Sequence, residues 1–313
     1  MAYGEGHAKT MNISKLRYIA KCVWSIARRE RVVCPFCGGM KFERIDSKWG
    51  LVELRECAEC ALLYRVPTDS AQLSEEFYQD EYEGGETTRL PGCEELQRLR
   101  QANFGDFGRS YARYIAMLRC LGVEEGAHIL DFGASWGYGV HQFREAGFRA
   151  AGFEISRSRS AFGRRELDLT MLNTLDGIEG RFDVFFSSHV LEHLSDLREV
   201  LATARRVTRA GGWFVAVTPN GSVSFRRAAP PSFHKLWGFV HPILIQETFI
   251  QKVFASDPHF VSSDLASFAN LREWDGVTSQ VGDLAGWELF VAARLAGQGP
   301  GQSVSPLPIR SGQ

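Results

Sequence analysis

From residue 128 onward, apolar strand-like runs alternate with amphipathic helical stretches, and this rhythm limits the fold more than any other feature of the chain. "HILDFGA" reads as a strand and "YGVHQFREAG" as a helix closed by Gly147. "RAAGFEI" predicts a second strand, followed by the helical "SRSRSAFGRRE". A weaker strand near "LTMLN" precedes a strong one, "FDVFFSS", at 182–188. "LSDLREVLATARRVTRAGG" predicts a helix ending at a glycine pair, and "WFVAVTP" the next strand. After 220 a Pro- and aromatic-rich insertion leads to the helical "QETFIQKVFAS". "HFVSSDLASFA" and "WELFVAARL" then read as a closing strand pair. Strands separated by helices build a mostly parallel sheet covered on both faces.

Ahead of this unit lie two CxxC pairs, Cys34/Cys37 and Cys57/Cys60, with 19 residues between them; Cys22, Cys93 and Cys120 stand alone. Two such turns offer four thiolates, enough for a closed tetrahedral zinc site of structural kind. Iron in a rubredoxin-like site and a redox pair are the competing readings. The intervening "KFERIDSKWGLVELRE" has strand-like stretches on either side of a turn. The chain thus divides into a basic amphipathic helix at 1–30, a zinc ribbon at 31–66 and an acidic linker with short helices at 67–109. The alternating domain occupies 110–294 and a Gly/Pro/Ser/Gln-rich tail, expected to be disordered, 295–313.

In the helix at 11–30, Ile13, Leu16, Ile19, Val23 and Ile26 share one face, opposite Arg17, Lys21 and Arg28. That face suits peripheral contact with an anionic membrane, or docking on the body of the protein. A net charge of −1 provides no whole-chain positive field and counts against a nucleic-acid partner. No apolar run is long enough to span a bilayer, and "MAYGEGHAKT" lacks the apolar core of a secretory signal, so the expected compartment is the cytoplasm, with contact at the inner membrane face through 11–30.

The stretch "ILDFGASWGYG" carries the first strand into a tight turn. Asp131 sits on the strand end, and Gly133, Ser135 and Gly137 alternate behind it. Glu154 ends the second strand, 17 residues beyond Gly137, where a carboxylate suits ribose hydroxyls. Dinucleotide loops leave the helix N-terminus free for pyrophosphate, which an anion such as Asp131 would repel. The same anion suits a cationic amino-acid head group or a sulfonium. Ser135 stands where a third glycine is expected; it fits if its position needs no positive φ.

"LDFGASWG", "FEIS", "FDVFFSSHVLEHLSD" and "RVTRAGGWFVAVTPN", in this order, resemble the motifs of class I S-adenosylmethionine-dependent methyltransferases, in their type 11/12/23 branch. "CPFCGG…CAECALLYRVPTDSAQLSEEFYQDEY" resembles the zinc-ribbon leader of bacterial methyltransferases found with polysaccharide- and sugar-modifying enzymes. The resemblance implies an α/β, Rossmann-like sheet, mostly parallel with its last strand antiparallel, preceded by a small zinc ribbon. It implies S-adenosyl-L-methionine held by Asp131, Gly133, Ser135, Gly137, Glu154, Ser188 and His189, and structural Zn2+ on Cys34, Cys37, Cys57 and Cys60. Asn173 and Asp176 are candidates for the adenine.

Removing a proton from a hydroxyl or carbon acceptor calls for a base near neutral pH, a role open to His189, His193 and His241. His234 lies in the same insertion as His241, and Trp136, Tyr138, Trp237 and Phe239 are candidates to line an acceptor pocket. The leading expectation is methyl transfer to oxygen or carbon of a sugar, nucleotide sugar or glycan intermediate. An RNA methyltransferase using the ribbon as a grip, a non-catalytic scaffold of the same fold and, more distantly, a nicotinamide oxidoreductase are the alternatives.

Overall fold

The computed structural model describes residues 32–68, 88–105, 108–263 and 268–296. The helix expected at 11–30, the acidic stretch 69–87 and the tail from 297 lie outside the described residues. In chain order the elements begin with strands β1 (Phe42–Lys48), β2 (Val52–Cys57) and β3 (Leu63–Val66), then helices α1 (Cys93–Gln101) and α2 (Ala112–Cys120). Strand β4 (His128–Phe132), α3 (Tyr138–Glu145), β5 (Arg149–Phe153), α4 (Arg157–Leu167), β6 (Met171–Leu172) and β7 (Phe182–Ser188) follow. Next come α5 (Leu197–Val207), β8 (Thr208–Pro219), α6 (Val223–Ala228), α7 (Pro230–Leu236), β9 (Ile243–Leu244) and α8 (Glu247–Val253). The chain closes with β10 (His259–Ser262), α9 (Phe268–Glu273), β11 (Gln280–Val281) and β12 (Glu288–Arg294).

The larger sheet has the order β11-β10-β12-β8-β7-β4-β5-β6. Strands β6, β5, β4, β7 and β8 run parallel, whereas β12 is antiparallel to both β8 and β10. This is the mostly parallel sheet with an antiparallel closing strand that the alternation implies. Its central strands are mostly apolar because helices cover both faces, with polar residues such as Asp131 and Ser188 toward their C-terminal ends. On β4, Ile129 faces a core that includes Tyr111, Tyr114, Val140 and Phe143, while Leu130 and Phe132 face the core under Leu197 and Leu201. Helix α5 buries Leu197, Val200, Leu201, Ala204 and Val207 at helical spacing, and Asp196 Oδ1 caps its first turn through the backbone N–H groups of Arg198 and Glu199.

One boundary differs from the sequence reading. Helix α5 stops at Val207 rather than at Gly211–Gly212, and those glycines lie inside β8. Thr208 already pairs with Phe182 and Trp213 with Val184, with an irregularity between, so long-range pairing overrides the local helical pattern.

The smaller sheet is antiparallel, in the order β1-β2-β3-β9. Strand β9 belongs to the insertion after β8, so the cysteine-bearing strands and the larger unit share a sheet. Arg65, buried, donates from Nη1 to the Gly238 and Phe239 carbonyls at 2.8 and 3.2 Å. Gln246 Nε2 donates to the Ala61 carbonyl at 2.7 Å, and Arg226 pairs with Glu56 at 3.1 Å. The indole N–H of Trp237 donates to Asp46 Oδ2 at 2.8 Å, which His234 Nδ1 also meets at 2.7 Å.

Candidate functional site

The parallel strands β7, β4 and β5 are neighbours, and their C-terminal ends share one edge of the sheet. In register, Asp131 is level with Gly152 and with Phe186, so Glu154 and Ser188 each lie two residues past it on the flanking strands. An open α/β sheet binds its ligand at this edge.

Asp131 is 1 % exposed, and no cation pairs with its carboxylate among the described residues; the Tyr111 hydroxyl is its polar neighbour there. Burial, with the nearby charge of Glu154, outweighs the Tyr111 hydroxyl and pushes it up to about 7. A buried carboxyl without a counter-charge is costly, and its natural complement is a cationic ligand group. Behind it, Gly133 has φ +83°, and a Cβ there would lie 2.3 Å from Val190 Cγ2. The loop and the segment after β7 therefore close together over a backbone that tolerates no side chain. Gly137, at φ +92°, turns the chain into α3.

Ser135 corrects the expectation placed on it. Its φ is +51°, in the left-handed region where a serine costs about 1–2 kcal/mol, so the position does need positive φ. It is buried and its hydroxyl has no partner among the described residues. The loop keeps the conformation of a three-glycine turn despite the substitution.

Glu154 is buried, and its Oε1 accepts from the Ser156 backbone N–H at 2.8 Å and from Arg159 Nη2 at 3.0 Å. Asn173 spends its amide N–H groups on the Glu154 carbonyl and Ser160 Oγ, at 2.8 and 2.6 Å, so it braces this turn. Asp176 is exposed and bonded to Thr174 at 2.6 Å. Of the aromatic candidates, Trp136 is buried in the core against Phe104 and Phe162, and Trp237 is buried against the small sheet.

The segment after β7 brings the histidines together. His189, at φ +54°, meets Glu288 Oε1 through Nε2 at 2.7 Å and approaches Glu192 Oε1 through Nδ1 at 3.4 Å. Burial opposes its charge, but hydrogen bonds to the two carboxylates prevail and hold it up at about 9. Burial likewise works against the Glu192 charge, yet the His189 bond and the fields of His193 and His241 hold it down at about 2. The His193 and His241 rings meet edge to face at 4.7 Å, and burial lowers His241 below its ordinary value. His234 lies apart, on Asp46.

Several members of this cluster carry no signal in the sequence. Arg113 forks onto Glu288 at 2.7 and 2.8 Å and donates to Tyr114 Oη at 2.7 Å, to which Ser188 Oγ also donates at 2.9 Å. Trp287, 55 % exposed, stacks on His189 with ring centroids 5.8 Å apart. Glu288 opens an apolar strand that reads as core, and only the pairing of β12 with β8 brings it beside β7.

The four cysteines converge as their spacing predicts. Sγ separations are 3.5 Å for Cys34–Cys60 and 3.4 Å for Cys37–Cys57, and all four sulfurs lie within 4.8 Å of one another. Tetrahedral zinc with bonds near 2.3 Å would set its sulfurs about 3.8 Å apart, so the cluster is compatible with zinc.

Residues 105–256 match the family described as a methyltransferase domain. The fold is Rossmann-like, with a mostly parallel central sheet, an antiparallel strand and a separate antiparallel sheet bearing the cysteines. Over 138 residues the chain is 30 % identical to an uncharacterized 37.1 kDa protein in transposon TN4556 of Streptomyces fradiae, covering 41 % of this chain and 39 % of that one. It is 26 % identical over 143 residues to the ubiquinone biosynthesis O-methyltransferase of Rhodopseudomonas palustris, covering 43 % and 55 %. The chain spans about half or less of the length of these relatives. Among solved structures it is similar to geranyl diphosphate C-methyltransferase from Streptomyces coelicolor, at 17 % identity and a TM-score of 0.46, covering 73 % of this chain and 99 % of that one. No helix among the described residues is long and apolar enough to cross a membrane.

Proposed function

We propose that the chain transfers a methyl group from S-adenosylmethionine to oxygen or carbon of a sugar, nucleotide sugar or glycan intermediate. The observation that carries the donor is the buried Asp131 carboxyl at the strand edge, with no cation against it among the described residues, beside a glycine cradle that a Cβ would fill. Bound there, the donor supplies a methyl already activated on a sulfonium. Asp131 would face its cationic amino-acid end, and Gly133, Ser135 and Gly137 would let the backbone approach. Glu154, fixed by Ser156 and Arg159, would take the ribose hydroxyls. Ser188 and His189 would line the same edge from β7.

Positioning supplies much of the rate of such a transfer. His189, held cationic at neutral pH, is poorly suited to accept a proton and instead orders Glu288 and Glu192. His193 and His241 are the better candidates for taking the acceptor's proton. The cysteine cluster would hold structural zinc and fix the sheet that braces the insertion after β8. The sugar class rests on the resemblance of the cysteine-rich leader to those of sugar-modifying methyltransferases. Incubation with labelled donor and a panel of nucleotide sugars, followed by mass spectrometry, tests it. A methylated nucleotide sugar is expected; methylation of bulk RNA alone would overturn the acceptor class.

A further inference from the structure

A second set of metal-ligating side chains lies away from the cysteines, where the segment after β7 meets the loop after α7. Glu192, His193 and His241 bring a carboxylate oxygen and two ring nitrogens within 4.8 Å of one another. Their supporting bonds are those that ligands need. His193 Nδ1 donates to the Val240 carbonyl at 2.9 Å, and His241 Nδ1 to the Leu236 carbonyl at 2.5 Å. A carbonyl only accepts, so both rings carry a proton on Nδ1 and, when neutral, present the lone pair of Nε2. Glu192 is wholly buried. Its Oε2 accepts from Thr218 Oγ1 at 3.0 Å, whereas Oε1 has only the long contact from His189 Nδ1. That oxygen lies 4.0 Å from His193 Nε2, and His189 Nδ1, at 3.4 Å, is its competing cation.

We infer that Glu192, His193 and His241 form a binding site for a divalent transition-metal ion of the zinc, cobalt or manganese class, separate from the four cysteines. Two imidazoles and a carboxylate suit such ions and leave coordination positions open. Bonds near 2.1 Å in tetrahedral geometry separate ligands by about 3.4 Å, so the side chains close by about 1 Å on binding. The Val240 and Leu236 carbonyls and the Thr218 hydroxyl already hold the two rings and the carboxylate in place. The use of the ion rests on the methyltransferase reading above: an acceptor hydroxyl at an open position becomes more acidic, and His193 and His241 then serve as ligands rather than as free bases.

The test is a cobalt titration of full-length, tag-free protein carrying zinc on its cysteines, read by absorption. One further equivalent of Co2+ is expected, with ligand-field bands and no thiolate-to-cobalt charge transfer. In His241→Ala and in Glu192→Gln that affinity should fall by about 100-fold or more, with unchanged circular dichroism. Should the buried Glu192 variant fail to fold, His241→Ala, at a partly exposed ring, decides the matter. Absence of the second equivalent in the native protein, or its survival in His241→Ala, would overturn the site. Neither result depends on methyl transfer, so the donor reading is judged separately by S-adenosylhomocysteine binding.

Discussion

Replacing Asp131 with Asn separates what the donor needs from what the fold prefers. The carboxyl is buried with only the Tyr111 hydroxyl to oppose its desolvation, and its pKa is raised from 3.8 to about 7. A raised carboxylate pKa means that the folded state holds its proton more tightly than the unfolded chain. Stability is therefore lost as pH rises from 3.8 to 7, and the loss is complete above 7. Each pH unit in that window is worth about 1.4 kcal/mol, so the full cost of the charge is about 4 kcal/mol. Asn carries no charge, although its amide brings an unsatisfied donor costing about 1–3 kcal/mol. Between pH 5.5 and 8.5 Asp131→Asn should gain about 2 kcal/mol of stability relative to the native protein, because only the native protein still ionises there. Thermal unfolding of the donor-free proteins at both pH values reads this as a relative shift of roughly 4–8 °C for a domain of this size. S-adenosylhomocysteine should raise the midpoint of the native protein more than that of the variant at equal ligand concentration. A relative stability that does not change with pH, or equal stabilisation of both proteins by the ligand, would refute the reasoning.

Other substitutions probe the remaining parts. Ser135→Gly should relieve left-handed strain of about 1–2 kcal/mol, partly offset by the chain entropy of glycine, and leave S-adenosylhomocysteine affinity equal or tighter by calorimetry; abolished binding would show that the loop geometry is wrong. Gly133→Ala places a methyl against Val190 and should abolish ligand binding, read as loss of the ligand-induced thermal shift. Glu288→Gln removes one of the two carboxylates that hold His189 near 9, so the His189 titration followed by NMR should move toward 6.5; an unmoved midpoint contradicts the assignment. Cys57→Ser should remove one equivalent of zinc by elemental analysis and lower the thermal midpoint, since the cysteine cluster braces Ala61 and Glu56 against Gln246 and Arg226.

What the sequence disclosed was local. The βαβ alternation, the Asp131–Gly133 turn and the acidic end of β5 are written in contiguous residues, and the two CxxC turns carry their own spacing. The positive φ of Ser135 is not legible in the sequence, because a serine takes that conformation only once strand, turn and helix are joined. Helix α5 ends four residues before its glycine pair because Thr208 is captured by Phe182 on the neighbouring strand. Glu288 and Arg113 are 175 positions apart, and their pairing follows from the antiparallel insertion of β12 beside β8. Trp136 and Trp237 look like pocket aromatics in isolation and are core in the fold. The convergence of His193 with His241 likewise depends on how the insertion folds back beneath the cysteine-bearing sheet.

Isothermal calorimetry with S-adenosylhomocysteine and the purified full-length chain tests the central claim most directly. The account predicts one binding site per chain, weakened at least tenfold in Asp131→Asn at pH 8. No heat with either the donor or its demethylated product would contradict it.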